Sequence, residues 1–204
     1  MIRISKDEYY LGIALAVSKR STCLKRHYGC VIVKNDEIIA TGYNGAPRGE
    51  ENCCDVGLCQ RLDKPHNSGD YSDCHSVHAE QNAMLSASRK EMIGATMYLA
   101  GEERRWSNVN MSYFDWKEVE DATPCPICAR MIANAGISTV RNRNGEIVLS
   151  ELLWGYTMGL IDDIKKNNYR LPTLEDYQNI DKKDTPEERR SIIKPFYFIK
   201  KETE

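Results

Sequence analysis

The stretch "VHAEQNA" sets His78 two residues before Glu80, and "TPCPICA" sets Cys125 three residues before Cys128. One imidazole and two thiolates are good zinc ligands, one fewer than a closed structural site uses. A fourth position left to water marks a catalytic metal, because the cation brings the pKa of that water towards neutrality. Glu80 is not needed as a ligand and lies close enough to carry protons. Taken singly, each motif also fits a helix cap or a small zinc knuckle. Together, with a Glu at that position, they are far more specific.

Both motifs open predicted helices. Unpaired N–H groups and the helix dipole favour negative charge there, which suits Cys125 and Cys128 as thiolates. The first helix begins at "HAEQNAMLSASRK", with Ala83, Met84 and Ala87 inward, and the second is "PICARMIANAG", closed by Gly136. Upstream, Tyr10, Ile13, Ala14 and Val17 at helical spacing predict an amphipathic helix over Lys6 to Lys19. "GCVIVKNDEIIATGYNG" gives two apolar runs around Asn35-Asp36, a hairpin signal, with Cys30 as a small apolar residue of the first strand. "GATMYLA" and "ISTVRN" are predicted strands, and "SELLWGYTMGLIDDIKK" a further helix. Between Asn44 and Ser76 no period is visible, and a loop that long inside a domain calls for function or metal to hold it. The tail is charged and broken by prolines, and "PFYFIKK" within it is a candidate edge strand. Alternating strands and helices predict an α/β layer fold, a central mixed sheet flanked by helices.

At 204 residues the chain fits one domain with an appendage. No stretch approaches an apolar membrane span, and the first residues lack a signal-peptide core, so a cytoplasmic protein without membrane partners is expected. Eight cysteines in such a chain point to metal or catalysis and away from disulfides. A net charge of −2 argues against long nucleic acid, which needs a basic surface, and favours a small substrate.

The H-A-E and P-C-x-x-C pair resembles the zinc-dependent cytidine deaminase superfamily, a signature that general accounts of base deaminases describe with these roles. More closely, "RSTC", "GYNGAPRG", "NCCD", "VHAEQNA", "GATMYLA" and "TPCPICARMIANAGI" resemble the deoxycytidylate (dCMP) deaminase family, over Arg20 to Ile137. The resemblance implies a three-layer cytidine-deaminase-like fold over residues 1–166, with an extension at 167–204. It implies deamination of dCMP to dUMP and ammonia in pyrimidine deoxynucleotide metabolism. His78, Cys125 and Cys128 would hold the catalytic zinc and Glu80 would shuttle protons. Asn44 would bond the sugar, and the backbones at Ala79 and Thr123 would meet the pyrimidine edge. A homo-oligomer and deoxynucleoside triphosphate effectors belong to the same implication. So does a second, structural zinc on Cys23, Cys53, Cys59 and Cys74, with Cys54, His66 and His75 as alternative ligands.

Three features depart from the family pattern. "VGLC" carries one extra residue, which leaves the register of Cys59 open. Residues 101–122, "GEERRWSNVNMSYFDWKEVEDA", intervene before the Pro-Cys motif and could serve as a lid, an oligomer contact, a substrate-recognition element or a surface elaboration. The Tyr-Asp element that the family often has after "AGISTV" has no clear equivalent, so the resemblance does not carry phosphate recognition or triphosphate regulation over; Lys25, Arg26, Arg48 and Arg61 are candidate phosphate partners or simply solvated charges. Two other readings remain: a deaminase of another free or modified cytosine nucleotide, and an inactive zinc-stabilised interaction module.

Overall fold

A computed structural model describes residues 3–62, 64, 74–106, 114–155, 169–170 and 199–200. The chain divides into two units, Met1–Leu153 and Trp154–Glu204.

Helix α1 (Lys6–Ser18) starts where the sequence predicts, because Ser5 and Glu8 bond each other's backbone N–H groups in a capping box. Strands β1 (Arg26–Lys34) and β2 (Glu37–Tyr43) form the expected hairpin. Its turn places Asn35 and Asp36 at φ 51° and 69°, the left-handed conformation that a two-residue hairpin turn demands and these residue types tolerate. The cysteine-rich segment contains one helical turn, α2 (Cys53–Val56).

After it, the single helix expected over residues 78–90 is divided in two, α3 (Ala79–Leu85) and α4 (Arg89–Met92). Ser88 is the cause: its hydroxyl accepts from Glu91 N and Glu91 accepts from Ser88 N, so a new N-terminus forms there. Next come β3 (Thr96–Trp106), β4 (Phe114–Glu118), α5 (Pro126–Ala135), β5 (Thr139–Asn142) and β6 (Gly145–Ile147). The predicted strand "GATMYLA" is therefore only the first half of β3. Its second half and β4 pair antiparallel and account for the described part of the 101–122 insertion. Residues 149–155 are helical, the start of the last predicted helix; 156–166 lie outside the described residues. In the second unit β7 (Tyr169–Arg170) pairs antiparallel with β8 (Ile199–Lys200), the described end of "PFYFIKK".

The sheet runs β2-β1-β3-β5-β6, with β4 also on β3. It is mixed, since β3 and β5 run parallel and the other pairs antiparallel. Period-2 alternation sends Cys30, Ile32, Met97 and Leu99 to one face, where they pack with Ala83 of α3 and Ile132 of α5. Val31, Val33, Tyr98 and Ala100 go to the other, against Tyr10, Leu11 and Ala14 of α1. A helix layer on each face gives the expected three-layer α/β sandwich. Among the described residues no helix is long and apolar enough to cross a membrane.

Gly42 sets the distance between α3 and the sheet. A Cβ there would lie 2.3 Å from both Ala79 O and Ala83 N, backbone atoms that cannot turn aside. Gly42→Ala should therefore push α3 off β2 and cost about 1–3 kcal/mol, as overpacking of a filled core does. A drop of several degrees in Tm, with loss of bound zinc because α3 carries the His78 motif, is the expected result. An unchanged Tm would show that α3 is not set by this contact.

Candidate metal centre and its cavity

His78 is the N-cap of α3 and Cys125 the N-cap of α5. Gln81 Oε1 accepts from His78 N at 3.0 Å, which fixes the backbone where the imidazole leaves it. A β-bridge joins Val77 to Gly45, by N–H···O bonds of 2.8 and 3.2 Å, and so draws the "GYNG" turn alongside the His78 motif. Pro126 follows Cys125 at the start of α5, where its missing N–H costs nothing, and Cys128 N donates to Cys125 Sγ at 3.5 Å.

Three donor atoms converge at these two helix starts. His78 Nδ1 lies 3.5 Å from Cys125 Sγ and 3.5 Å from Cys128 Sγ, and all three fall within 4.8 Å of one another. Tetrahedral zinc, with bonds of roughly 2.0–2.1 Å to nitrogen and 2.3 Å to sulfur, requires an N···S separation of about 3.5–3.6 Å. The donors fit the ion. Hydrogen bonding with Cys128 and His78 lowers the Cys125 thiol below its ordinary pKa; its bond to Cys125 and burial raise Cys128. A dication held by the three donors would supply the charge that favours both thiolates.

Glu80 sits in the first turn of α3, 5% exposed, and burial raises its carboxyl pKa. It stays outside the three-donor group while lining the same cavity as His78 and Cys125. Ala79 and Thr123, expected beside the pyrimidine, line that cavity too. So does Asn44, with part of its carboxamide already engaged: Oδ1 accepts from Tyr28 N at 2.7 Å and Nδ2 donates to Arg26 O at 2.9 Å. It braces β1, and one amide hydrogen remains for a ligand. Lys25, Arg26 and Arg61 reach the cavity wall; Arg48 is exposed and is not part of it.

Three lining residues, Tyr28, Ser76 and Leu99, went unnoticed in the sequence. For two of them the signal was present: Tyr28 shares the period-2 face of Cys30 and Ile32, and Leu99 that of Met97.

The cysteine-rich segment is only partly gathered. Cys23, Cys59 and Cys74 line the cavity, and Cys53 Sγ lies 4.0 Å from His75 Nε2. Among the described residues, however, only the His78 group brings three donor atoms within 4.8 Å. Cys54 is exposed, and His66 lies outside the described residues.

A family model described as "Cytidine and deoxycytidylate deaminase zinc-binding region" matches residues 4–142. The chain belongs to this family. A deoxycytidylate deaminase of Mycobacterium phage D29 is 38% identical over 146 residues, 69% of this chain and 95% of that protein. The deoxycytidylate deaminase of Saccharomyces cerevisiae is 37% identical over 145 residues, again 69% of this chain but 38% of the longer yeast protein. The apo dCMP deaminase of cyanophage S-TIM5 superposes with a TM-score of 0.48 at 26% identity, over 76% of this chain and 94% of that one. A zinc-binding family and a fitting His/Cys/Cys group agree on a catalytic Zn2+ as the cofactor.

Because Glu80 is outside the donor group, Glu80→Gln should keep zinc and fold while ammonia release falls by roughly 100- to 10,000-fold, the range of general acid–base catalysis. Metal analysis and turnover on the same preparation test this. Near-normal turnover in a zinc-replete variant would remove Glu80 from the chemistry.

Proposed function

We propose that this protein deaminates dCMP to dUMP and ammonia. The observation that carries the reading is a buried carboxylate, Glu80, beside a zinc-compatible His/Cys/Cys group in one cavity. The likeness to proteins named deoxycytidylate deaminase supports the choice of nucleotide.

When bound, zinc supplies a Lewis acid that brings water near nucleophilic strength at neutral pH. Glu80 takes a proton from the water that adds to C4 of cytosine. It delivers that proton to N3, then carries the proton of the new C4 hydroxyl to the amine, so that C4=O forms as the C4–N4 bond breaks and ammonia leaves. Dry surroundings that raise its pKa suit a carboxyl that must be base and then acid within one cycle. Ala79 and Thr123 present backbone groups to the pyrimidine edge, and the free amide hydrogen of Asn44 meets the sugar. A buried proton-handling carboxylate has no use in an inert zinc module, which weighs against that alternative.

The reading extends to a cytoplasmic enzyme built from several copies of the chain; half-exposed Ile127 and Met131 on α5 offer apolar surface for such contacts. It also includes a second, structural zinc in the cysteine-rich corner. Cys23 is partly buried there, and burial, with Cys59 and Cys74 nearby, raises its thiol pKa, so a dication would favour the thiolate. Since no three donors there lie within 4.8 Å among the described residues, binding would draw the segment together. Protein purified without chelator should carry close to two zinc ions per chain, and Cys53→Ser with Cys74→Ser should lose one. A single zinc, unaffected by that double change, would sink the second site.

The activity itself is tested by ammonia release from deoxycytidine, dCMP, dCTP and 5-substituted dCMP. Turnover should be best with dCMP. Turnover of 5-substituted nucleotides alone would move the reading to a modified base, and release from none of them would overturn it.

A further inference from the structure

Three residues of the cavity wall, Lys25, Arg26 and Tyr28, are held by the part of β3 that the insertion adds. Arg26 and Tyr28 stand opposite Glu103 and Gly101 in the β1–β3 ladder, and Lys25 O accepts from Arg104 N at 3.1 Å. Period-2 alternation puts Leu99, Gly101 and Glu103 on one face of the sheet, with Arg26, Tyr28 and Cys30 beside them. The face that carries the metal centre therefore continues past Leu99 on residues of the 101–122 segment.

Two contacts on that face bear on the cavity. A Cβ at Gly101 would lie 2.5 Å from Tyr28 Cδ1 and 2.5 Å from His27 O, so only glycine lets the phenol ring rest against the strand there. One pair further on, Glu103 forms ion pairs with Arg26 and Arg105, and Arg26 Nη1 donates to Tyr28 OH at 2.9 Å. Arg26 has like-charged neighbours: burial lowers the Lys25 pKa, and Arg26 and Arg61 lower it further. Glu103 is the anion that meets Arg26. Their side chains are 20% and 18% exposed, so solvent screens the pair only weakly. The Tyr28 ring thus has two fixed points, Gly101 against the ring and Arg26 at its hydroxyl.

We propose that Gly101 and Glu103 are positioning residues of the active site: Gly101 seats the Tyr28 ring, Glu103 holds Arg26 on its hydroxyl, and the insertion thereby sets one wall of the substrate cavity. The inference rests on the deaminase reading above and gives the 101–122 segment a part in it. Neither residue lines the cavity, so both act through residues that do. The zinc donors and Glu80 belong to α3 and α5 and have their own supports. A displaced wall therefore weakens substrate binding and leaves the chemical step alone, a change in KM with kcat retained.

Steady-state kinetics on the zinc-loaded full chain, with Tm measured on the same preparations, test this. Glu103→Ala should raise KM for dCMP roughly tenfold, with kcat within a factor of about two of the wild type. Glu103→Gln keeps an acceptor for Arg26 and should recover most of that loss. Tyr28→Phe keeps the ring and removes the oxygen that Arg26 bonds, so it should raise KM to a similar degree. The double variant should then be no worse than either single one, because both break the same link. A lower Tm with KM unchanged would mean a role in stability alone and overturns the proposal. So does a double variant whose two losses multiply. If Glu103→Ala does not fold, Glu103→Thr, a better strand residue, takes its place in the cycle. A wild-type protein that turns over no cytosine substrate defeats the deaminase reading instead, and the same cycle read by dUMP affinity then judges the positioning. Failure to bind dUMP as well overturns both.

Discussion

The rest of the molecule depends on holding two helix N-termini close enough for one imidazole and two thiols to meet. His78 Nδ1 must stand about 3.5 Å from each sulfur, and neither α3 nor α5 can do this alone. Gly42 lets α3 lie on β2 at backbone contact, and the Gly45–Val77 bridge fixes the chain just before His78. On the other side, the parallel pairing of β3 and β5 leaves α5 as the crossover between them, packed on the same face. The core of that face is therefore the scaffold of the site. A methyl group added in the wrong place is a change in ligand geometry.

Charge explains the remaining arrangement. Burial raises the pKa of Glu80, while the hydrogen bond between the two thiols lowers Cys125 and raises Cys128. A dication on the three donors would favour both thiolates. Arg26 and Tyr28, joined by a hydrogen bond, line the same cavity as Glu80.

The insertion takes a different place from the one its sequence position suggests. Trp116 of β4 stacks on His27 at 3.7 Å between ring centroids and 17° between planes. His27 alternates with Arg26 and Tyr28 along β1, so it faces the α1 side, near Cys23 O and Glu102 Oε1. Residues 101–106 and 114–118 thus extend the sheet, with an aromatic anchor on the face opposite Arg26 and Tyr28.

Sequence alone pointed to the three donors that the structure gathers, to Glu80 beside them and to the helices that open there, because those depend on residue type and on spacings of two or three. It also determined the β1–β2 hairpin, whose Asn-Asp turn is a local requirement, and the layer class, which follows from alternating periods. Tertiary structure decided what local pattern does not encode. Ser88 divides a helix that period alone would continue, since a cap bond outweighs a few residues of apolar spacing. Asn44 proved to brace β1 as well as face the cavity, because its partners Arg26 and Tyr28 become neighbours only through strand pairing. Of the four candidate cations, Lys25, Arg26 and Arg61 reach the cavity and Arg48 stays in water. A cation's sequence position says nothing about burial, and only the path of the chain through the cysteine-rich segment settles it.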